Sequence, residues 1–237
     1  MIQLFNSFKL PHSMIIAIDG PAGAGKSTVA REVALELGFA YINTGAMYRA
    51  VALEARVQNI DFQNEAAIAA LGHTLPMRFG SGGTKLWVLE RDVSHEIMAP
   101  HMGELASQIA SIPALRERVV ARQREMGQAS ERECGGAVLE GRDIQTVVFP
   151  EADLKIFLTA TDEARAARRV EQWKRQGQSA DAAQALVDVR ARDERDSQRD
   201  TSPLRPAEDA VHVLSDDLTS DEVVACIVEL ARQRVGS

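Results

Sequence analysis

Apolar residues along the chain alternate between short continuous runs and stretches with helical spacing. Short runs bounded by glycine or polar residues are typical of buried strands, whereas apolar residues spaced by three and four positions are typical of helices. The runs predict five strands, at residues 15–18, 39–42, 136–139, 153–158 and 210–214. The spacing predicts helices at residues 29–37, 47–55, 64–71, 102–126, 162–175, 181–199 and 220–232, with a break or a new first turn at Pro113. This alternation predicts an α/β protein with a doubly wound, five-stranded parallel sheet.

The region between residues 72 and 107 departs from this alternation. Residues 75–79 and 85–89 have strand-like composition and are separated by the glycine-rich residues 80–83, which indicates a hairpin. Residues 91–93 add a third short strand. We therefore expect a small inserted β subdomain that forms a separate lobe.

A glycine-rich loop follows the first strand and precedes the first long helix. Gly20, Gly25, Lys26 and Ser27 fit the phosphate-loop pattern G-x-x-x-x-G-K-S/T in the strand–loop–helix context that it requires. Glycines let backbone N–H groups converge on phosphate oxygens, lysine supplies a mobile charge, and the serine hydroxyl can bind Mg²⁺. The alternative is a tight turn without a ligand. The pattern predicts binding of a nucleoside triphosphate, with Mg²⁺ at Ser27, by a loop made of these residues: Gly20, Pro21, Ala22, Gly23, Ala24, Gly25, Lys26, Ser27 and Thr28.

Two groups of charged residues occupy unusual positions: one follows a predicted buried strand, and the other lies on the inward face of a predicted helix. Residues 140–143 crowd the carboxyl end of a predicted strand, where open α/β sheets place their ligands, although an ordinary exit from the strand would have the same composition. In the helix at 181–199 the inward stripe of Ala185 and Val189 continues into Arg192, Asp196 and Arg199. A solvated helix end is the alternative, but arginines beside a phosphate loop are suited to clamping phosphate oxygens.

Other charged residues are assigned by spacing alone. In the helix at 162–175, any of three arginines could reach a phosphate: Arg165, Arg168 and Arg169. Arg49 lies just beside an apolar stripe and, taken alone, is expected on the surface. We expect most of a second arginine series to be solvated: Arg116, Arg118, Arg122 and Arg124. His212, among strand residues, is expected to be structural.

Composition limits the class of protein. The net charge of −7 disfavours a nucleic-acid-coating protein, and the two cysteines have neither disulfide-framework nor metal-site spacing. No apolar run approaches the about 20 residues needed to cross a membrane. We expect a cytoplasmic monomer with no nucleic-acid or membrane partner, built as one domain over residues 14–237 after an extension at residues 1–13.

The chain closely resembles the bacterial cytidylate kinases, a family of nucleoside monophosphate kinases, from about Met14 to Arg232. The segments that carry this resemblance are IDGPAGAGKST at 18–28, TGAMYR at 44–49, ASQIASIPALRE at 106–117, EGRDIQTVVFP at 140–150, KIFL at 155–158 and RARDERDSQR at 190–199. Two positions depart from the family pattern: Gln145 replaces a glycine, which raises a question about the local backbone, and Glu140 replaces a small residue or aspartate. Glu140 is a candidate for orienting an arginine or a magnesium ligand.

The resemblance implies transfer of a phosphoryl group from ATP to CMP or dCMP. By position, the family's acceptor-binding residues correspond to Thr44, Arg49, Ser107, Arg116, Arg142, Asp143, Arg192 and Asp196. Lys26, Arg192 and Arg199 would be catalytic, Ser27 would bind Mg²⁺, and Arg168 would contact ATP. The family also implies a CMP-binding insertion at about 72–107 and a helical lid at about 165–185.

The implied reaction is direct in-line transfer with Mg²⁺, without a covalent enzyme intermediate or a general base. Closure of the lid, around residues 168–179, would exclude water. UMP and shikimate remain alternative acceptors, although the insertion and the Ser107–Arg116 segment argue against them. A nucleotide-dependent switch is the alternative from another class; the N-K-x-D run expected of a GTPase is absent from the sequence.

Overall fold

The computed structural model describes residues 13–175, 177 and 181–235. The strands are β1 Met14–Asp19, β2 Ala40–Asn43, β3 Met77–Phe79, β4 Leu86–Val88, β5 Arg91–Asp92, β6 Gly136–Gly141, β7 Leu154–Thr159 and β8 Val211–Leu214. The helices are α1 Lys26–Leu37, α2 Thr44–Val57, α3 Glu65–Thr74, α4 Pro100–Ile109, α5 Pro113–Cys134, α6 Asp162–Arg175, α7 Ala182–Ser197 and α8 Ser220–Val235. A π-helical segment at Ile144–Val148 follows β6.

The central sheet has five parallel strands in the order β2-β6-β1-β7-β8. Strand β1 lies in the middle, and its residue Ile18 is paired with Glu140 on one side and with Ile156 on the other. The loops that leave β1 and β6 therefore start side by side at the carboxyl edge, where ligands bind in sheets of this type. The predicted doubly wound α/β fold is confirmed.

Both faces of the sheet are covered, and β1 shows why its residues form a strand. Ile16 and Ile18 pack toward α1 and α8, while Ile15 and Ala17 pack with residues of α5 and of the π-helical segment. Successive side chains point to opposite faces of a strand, so a run that is apolar at every position suits a sheet buried on both sides.

The predicted β insertion is present as an antiparallel sheet in the order β3-β4-β5. Its hairpin is closed by a hydrogen bond from Gly80 N to Lys85 O at 2.9 Å. Leu86 and Val88 belong to a third apolar cluster, which they share with helices α2 to α5. This cluster differs from the two that cover the central sheet, so the insertion packs mainly on these helices.

Helices α6 and α7 pack against each other and form a unit that we call the lid hairpin. Helix α6 has the predicted bounds, whereas α7 is shorter than predicted. The side chain of Asp181 accepts hydrogen bonds from Ala183 N and Gln184 N and so acts as the N-cap of α7. Arg199 follows the end of this helix. Residues 176 and 178–180 of the predicted lid lie outside the described residues, as do residues 1–12 of the predicted extension and residues 236–237.

The expectation that most arginines of α5 are solvated holds for two of the four, since Arg118 and Arg124 are exposed whereas Arg116 and Arg122 are not. Arg116 is buried, and Arg122 donates hydrogen bonds to Leu75 O and Met77 O at 2.6 and 2.8 Å. Arg124 donates to the carbonyls of Val148 and Val147. Strand entries and loop turns leave backbone carbonyls unpaired, and a long guanidinium can satisfy two of them at once.

No helix within residues 13–175 and 181–235 combines the length and apolar character that crossing a membrane requires.

Candidate active site

The phosphate loop, residues 20–28, connects β1 to α1. Gly20 has φ 151°, and a Cβ atom there would lie 1.9 Å from Leu158 O, so only glycine fits against β7. Gly25 has φ 91° and precedes α1 without any side-chain cap. The first backbone N–H groups of a helix lack intrahelical acceptors and carry a partial positive charge. The loop and the helix start therefore form an anion-binding site.

Lys26 is the buried cation of this loop. Its ammonium donates a hydrogen bond to Pro21 O at 2.7 Å, and no carboxylate of the described residues forms an ion pair with it. Burial lowers the pKa of Lys26 well below its usual value, and the positive charge of Arg142 lowers it further. An anionic ligand at the loop would stabilise the charged form of this lysine.

Ser27 is held by Glu140, at the carboxyl end of β6. The Ser27 hydroxyl donates to Glu140 Oε1 at 2.6 Å, and the phenol of Tyr41 donates to the same oxygen at 3.0 Å. The hydroxyl of Thr44 donates to the backbone carbonyl of Glu140 at 2.7 Å. Because the Ser27 hydrogen is directed to Glu140, the lone pairs of its oxygen are free for another contact. A hydroxyl and a carboxylate beside a phosphate loop are ligands of the kind that Mg²⁺ uses.

Asp196 is the centre of a charged network on the opposite wall. It accepts hydrogen bonds from Arg142 Nε at 2.9 Å, from Ser107 Oγ at 3.1 Å and from Arg199 Nη2. Burial raises the pKa of Asp196, but the charges of Arg142, Arg199 and Arg192 outweigh this effect and hold the pKa at about 2. Asp196 is therefore a carboxylate at neutral pH.

Positive charge exceeds negative charge around this network. Arg192 Nε is 3.9 Å from Asp196 Oδ2, too far for a hydrogen bond, and it is buried without a hydrogen-bond partner among the described residues. Burial and repulsion by Arg142 lower the pKa of Arg192 to about 9, although Asp196 opposes this shift. Arg49 and Arg169 add to this repulsion. Such a cluster is stabilised by an anion that the protein does not itself supply.

Arg116 and Asp143 form a second buried pair. Arg116 Nη1 is 2.6 Å from Asp143 Oδ2, and its Nε donates to Ala110 O at 3.0 Å. The guanidinium lies over the ring of Tyr48, 5.5 Å from the centroid. Asp143 and Arg116 thus line the same wall as Ser107, with fixed side-chain directions.

The lid hairpin carries the three arginines for which sequence spacing did not decide which one reaches a ligand. Arg165 is buried and its guanidinium is bound by Ala160 O, Ala22 O, Asp162 and Asp193. Arg168 donates to Ser215 Oγ at 3.1 Å and to Ser215 O, and lines the cavity. Arg169 lies over the ring of Trp173 at 5.0 Å and also lines the cavity. The structure thus gives Arg165 protein partners only, and directs Arg168 and Arg169 to the cleft.

These walls enclose a single cleft of about 1070 Å³. It is lined by most residues singled out from the sequence: Ala22, Gly23, Ala24, Gly25, Lys26, Ser27, Thr28, Thr44, Arg49, Ser107, Arg116, Arg142, Asp143, Arg168, Arg192, Asp196 and Arg199. Gly20 and Pro21 do not line it, because Gly20 packs against β7 and Pro21 contributes its carbonyl to Lys26. Arg49, expected on the surface from its own segment, also faces this cleft, where its Nη1 contacts Met98 Sδ at 3.3 Å.

Sequence reasoning missed two contributors. Tyr41 is predicted only as a strand residue, although its phenol, in a strand of the same sheet, reaches Glu140 beside the phosphate loop. Asp193 lies one position beyond Arg192 and so falls outside the inward stripe, yet it contacts the phosphate loop. Gln145, the departure from the family pattern, is not among the described residues with positive φ, so its backbone is compatible with a side chain.

Comparisons with known proteins agree with this geometry. The sequence model of the cytidylate kinase family matches residues 16–233. A cytidylate kinase of Lactobacillus johnsonii is 41% identical over 227 residues, which cover 95% of this chain and 96% of the relative. A cytidylate kinase of Stutzerimonas stutzeri is 42% identical over 224 residues, which cover 93% of this chain and 96% of the relative.

Some relatives are longer. A bifunctional pantoate ligase/cytidylate kinase of Synechococcus elongatus is 45% identical over 227 residues, which cover 93% of this chain but 42% of the relative. The chain thus spans about two-fifths of the length of this longer relative and nearly the whole length of the two shorter ones. On the family match across almost all of its residues, the chain belongs to the cytidylate kinase family.

Proposed function

We propose that the protein transfers the γ-phosphoryl group of ATP to CMP or dCMP, giving ADP and CDP or dCDP. One observation carries the proposal: an uncompensated arginine cluster faces the phosphate loop across one cleft. The loop suits the phosphates of ATP, and Arg49, Arg142 and Arg192 suit the phosphate of a second nucleotide. The relatives are named cytidylate kinases, which supports cytosine as the base of that nucleotide.

The acceptor wall provides polar groups for a base and a sugar. Ser107, Arg116 and Asp143 offer a hydroxyl, a guanidinium and a carboxylate whose directions are fixed, which suits the donor and acceptor edge of cytosine. Asp196 can accept hydrogen bonds from sugar hydroxyls because it remains ionised. Thr44 and Arg49, at the start of α2, complete the wall beside Arg142. We propose that the insertion at about 72–107 supports this wall and that the lid at about 165–185 covers the donor.

The transfer is in line, from the γ-phosphorus of ATP to a phosphate oxygen of the acceptor. That oxygen is already anionic near neutral pH, so no general base is needed. Lys26, Arg192 and Arg199 lie where they can neutralise charge on the transferred group, while Arg168 holds the donor side. Catalysis then consists of positioning and electrostatic stabilisation.

A magnesium ion fits the residues around Ser27. The Ser27 hydroxyl, oriented by Glu140, would hold the ion together with the ATP phosphates. When bound, Mg²⁺ neutralises phosphate charge and aligns the β- and γ-phosphates. Glu140 and Tyr41 keep the Ser27 oxygen directed at that position.

The test is ADP release from ATP–Mg²⁺ with CMP, dCMP, UMP, AMP, GMP and shikimate supplied separately. We expect strong stimulation by CMP and dCMP only. Lys26→Ala, purified in parallel, should show none of it, which excludes a contaminating kinase. Stimulation by UMP or shikimate alone would show that the acceptor is not CMP or dCMP. Equal rates of ADP release with every acceptor and with none would overturn the proposal.

A further inference from the structure

The backbone of Ala22, in the phosphate loop, is held by side chains from both helices of the lid hairpin. Its N–H donates to Asp193 Oδ1 on α7 at 3.0 Å. Its carbonyl accepts from Arg165 Nη1 on α6 at 2.8 Å. One residue of the loop is therefore fixed on both of its backbone polar groups by residues that the reaction itself does not use.

The two side chains are also bound to each other. Arg165 Nη1 forms a short ion pair with Asp193 Oδ2, and its Nη2 pairs with Asp162. Asp162 in turn accepts from Arg190 Nε at 2.7 Å, which joins α6 to α7 a second time. Arg165 is 4% exposed, so water screens its contacts with Asp193 and Ala22 only weakly.

Helix α6 packs closely against the phosphate loop at Gly23. A Cβ atom at Gly23 would lie 3.1 Å from both Cβ and O of Arg165. Glycine at this position therefore lets α6 approach the loop closely. The position of the lid hairpin and the conformation of the phosphate loop are fixed by the same contacts.

Asp193 follows Arg192 directly on α7, and successive residues of a helix point about 100° apart. Arg192 is directed to the arginine cluster while Asp193 is directed to the loop. Anchoring Asp193 thus sets the distance between Arg192 and the amides that would bind ATP. A loss of this anchor would let α7 shift or rotate and would release Ala22 N–H.

We propose that Asp193 is a positioning residue that, through Arg165 and Ala22, couples the seating of the lid hairpin to the conformation of the phosphate loop. Both ATP affinity and the placement of Arg192 depend on these contacts among Asp193, Arg165 and Ala22, which we call the junction. The coupling to turnover rests on the proposed function, whereas the coupling to ATP affinity does not.

The test compares Asp193→Asn, Asp193→Glu and Asp193→Ala with Glu194→Gln, a control that removes the same charge from the exposed neighbouring residue. For each protein, the dissociation constant of ATP–Mg²⁺ is measured by calorimetry, together with kcat, KM for both substrates, and Tm. All measurements are made well below the lowest Tm. We expect Asp193→Asn, which places an amide NH₂ beside the Arg165 guanidinium, to weaken ATP binding by about tenfold or more. We also expect its kcat to fall, Asp193→Glu to restore part of the affinity, and the control to stay within about twofold.

A junction that only stabilises the fold would lower Tm and leave ATP affinity and kcat unchanged in the folded variants; that result overturns the proposal. The near-isosteric Asp193→Asn decides the matter if Asp193→Ala does not fold. If the wild type binds ATP but is not stimulated by CMP, the proposed function fails and the comparison of ATP dissociation constants still tests Asp193.

Discussion

Arg192 is the residue at which the packing of α7 and the electrostatics of the cleft meet. Ala185 and Val189 are buried on the same side of the helix, and the next turns place Arg192 and Asp196 on that side. Arg192 is half-buried, its pKa is lowered, and its buried Nε has no hydrogen-bond partner among the described residues, so the protein alone stabilises its charge poorly. Under the proposed function, phosphate oxygens would supply the missing hydrogen-bond acceptors and stabilise its charge.

Arg192→Ala should therefore lower kcat by about 100-fold or more, since it removes a donor to charge that develops during transfer. ATP affinity should change little, because the phosphate loop is intact. Initial rates and calorimetric titration with ATP–Mg²⁺ measure the two effects. Arg195→Ala, an exposed arginine of the same helix, is the matched control. Loss of folding without a separate effect on turnover would contradict the assignment.

Asp19 gives the molecule a pH dependence of its own. Burial raises its pKa from 3.8 to about 7, although Gln145 N donates to its Oδ2 at 2.8 Å and opposes this shift. Between these two values the folded protein keeps a proton that the unfolded chain has released. The stability that this proton confers is complete below about pH 4 and is lost as the pH rises through about 7.

Asp19→Asn should remove this dependence. Without nucleotide, the free energy of unfolding of the wild type should fall between pH 5 and pH 7.5 by about 2 kcal/mol more than that of the variant. Urea unfolding at both pH values measures the difference, and every other titrating group is common to the two proteins. Parallel pH profiles would show that Asp19 is ionised across this range.

Sequence alone could predict the stripe of Arg192, Asp196 and Arg199, because helical periodicity decides which side of a helix faces inward. It could not separate Arg165 from Arg168, because both share a helix face and differ in partners that lie far away in the sequence: Arg165 pairs with Asp193, and Arg168 binds Ser215. For the same reason, the sequence could not predict that Arg122 binds the carbonyls of Leu75 and Met77. Long side chains choose partners by tertiary proximity, which a spacing rule does not contain.

At the scale of elements, the π-helical segment after β6 connects the acceptor wall to the rest of the sheet. Gln145, in this segment, is 1% exposed, and its side chain reaches two other parts of the chain. Its Oε1 accepts from Ala207 N at 3.0 Å, and its Nε2 lies 3.3 Å from Ile156 O. The glycine common in the family could make neither contact, so this chain has a tie between β7 and the segment before β8.

Replacing Gln145 by Met keeps most of its volume and removes both hydrogen bonds. We expect the free energy of unfolding to fall by about 1–3 kcal/mol, because Ala207 N–H loses its acceptor and a buried carbonyl loses a donor. The free energy of unfolding of Gln145→Gly should be lower still, because glycine loses more backbone entropy on folding and leaves the side-chain volume empty. Urea unfolding measures both, with the exposed Gln128→Met as control. Equal stabilities of all four proteins would mean that the tie contributes nothing.

Element boundaries were predicted well where the signal is local. Pro113 begins α5, as its missing N–H favours, and Gly80 closes the predicted hairpin. Helix α7 ends at Ser197, earlier than predicted, and Arg199 beyond its end donates to Asp196 and Ser107. A charge pattern shows no such departure, since it extends unchanged past the last helical turn.

At the scale of the whole molecule, the cleft draws its walls from the central sheet, the inserted region and the lid hairpin. Leu86 and Ser94 of the insertion, Lys26 of the core and Arg168 of the lid hairpin all line it. Ligands in this cleft contact parts of the fold with separate apolar clusters, so binding should stabilise the whole structure rather than one part.

A non-transferable ATP analogue and CMP, each at about 100 times its dissociation constant, should each stabilise the protein by about 2.7 kcal/mol. Each should raise Tm by about 5–10 °C for a chain of this size, and both together should raise it further. Differential scanning fluorimetry measures the shifts, with GMP in place of CMP as control. An equal shift with GMP would indicate that the acceptor wall does not select the base.

The placement of the two tryptophans has an optical consequence. Trp87 lies in the inserted sheet beneath the guanidinium of Arg78, and Trp173 lies on the lid hairpin beneath that of Arg169. Because a guanidinium cation close to an indole alters its electrostatic surroundings, we expect a turn of Arg169 toward a nucleotide to change the fluorescence of Trp173. In a Trp87→Phe background only that signal remains, and stopped-flow emission would time the arrival of nucleotide without an added dye.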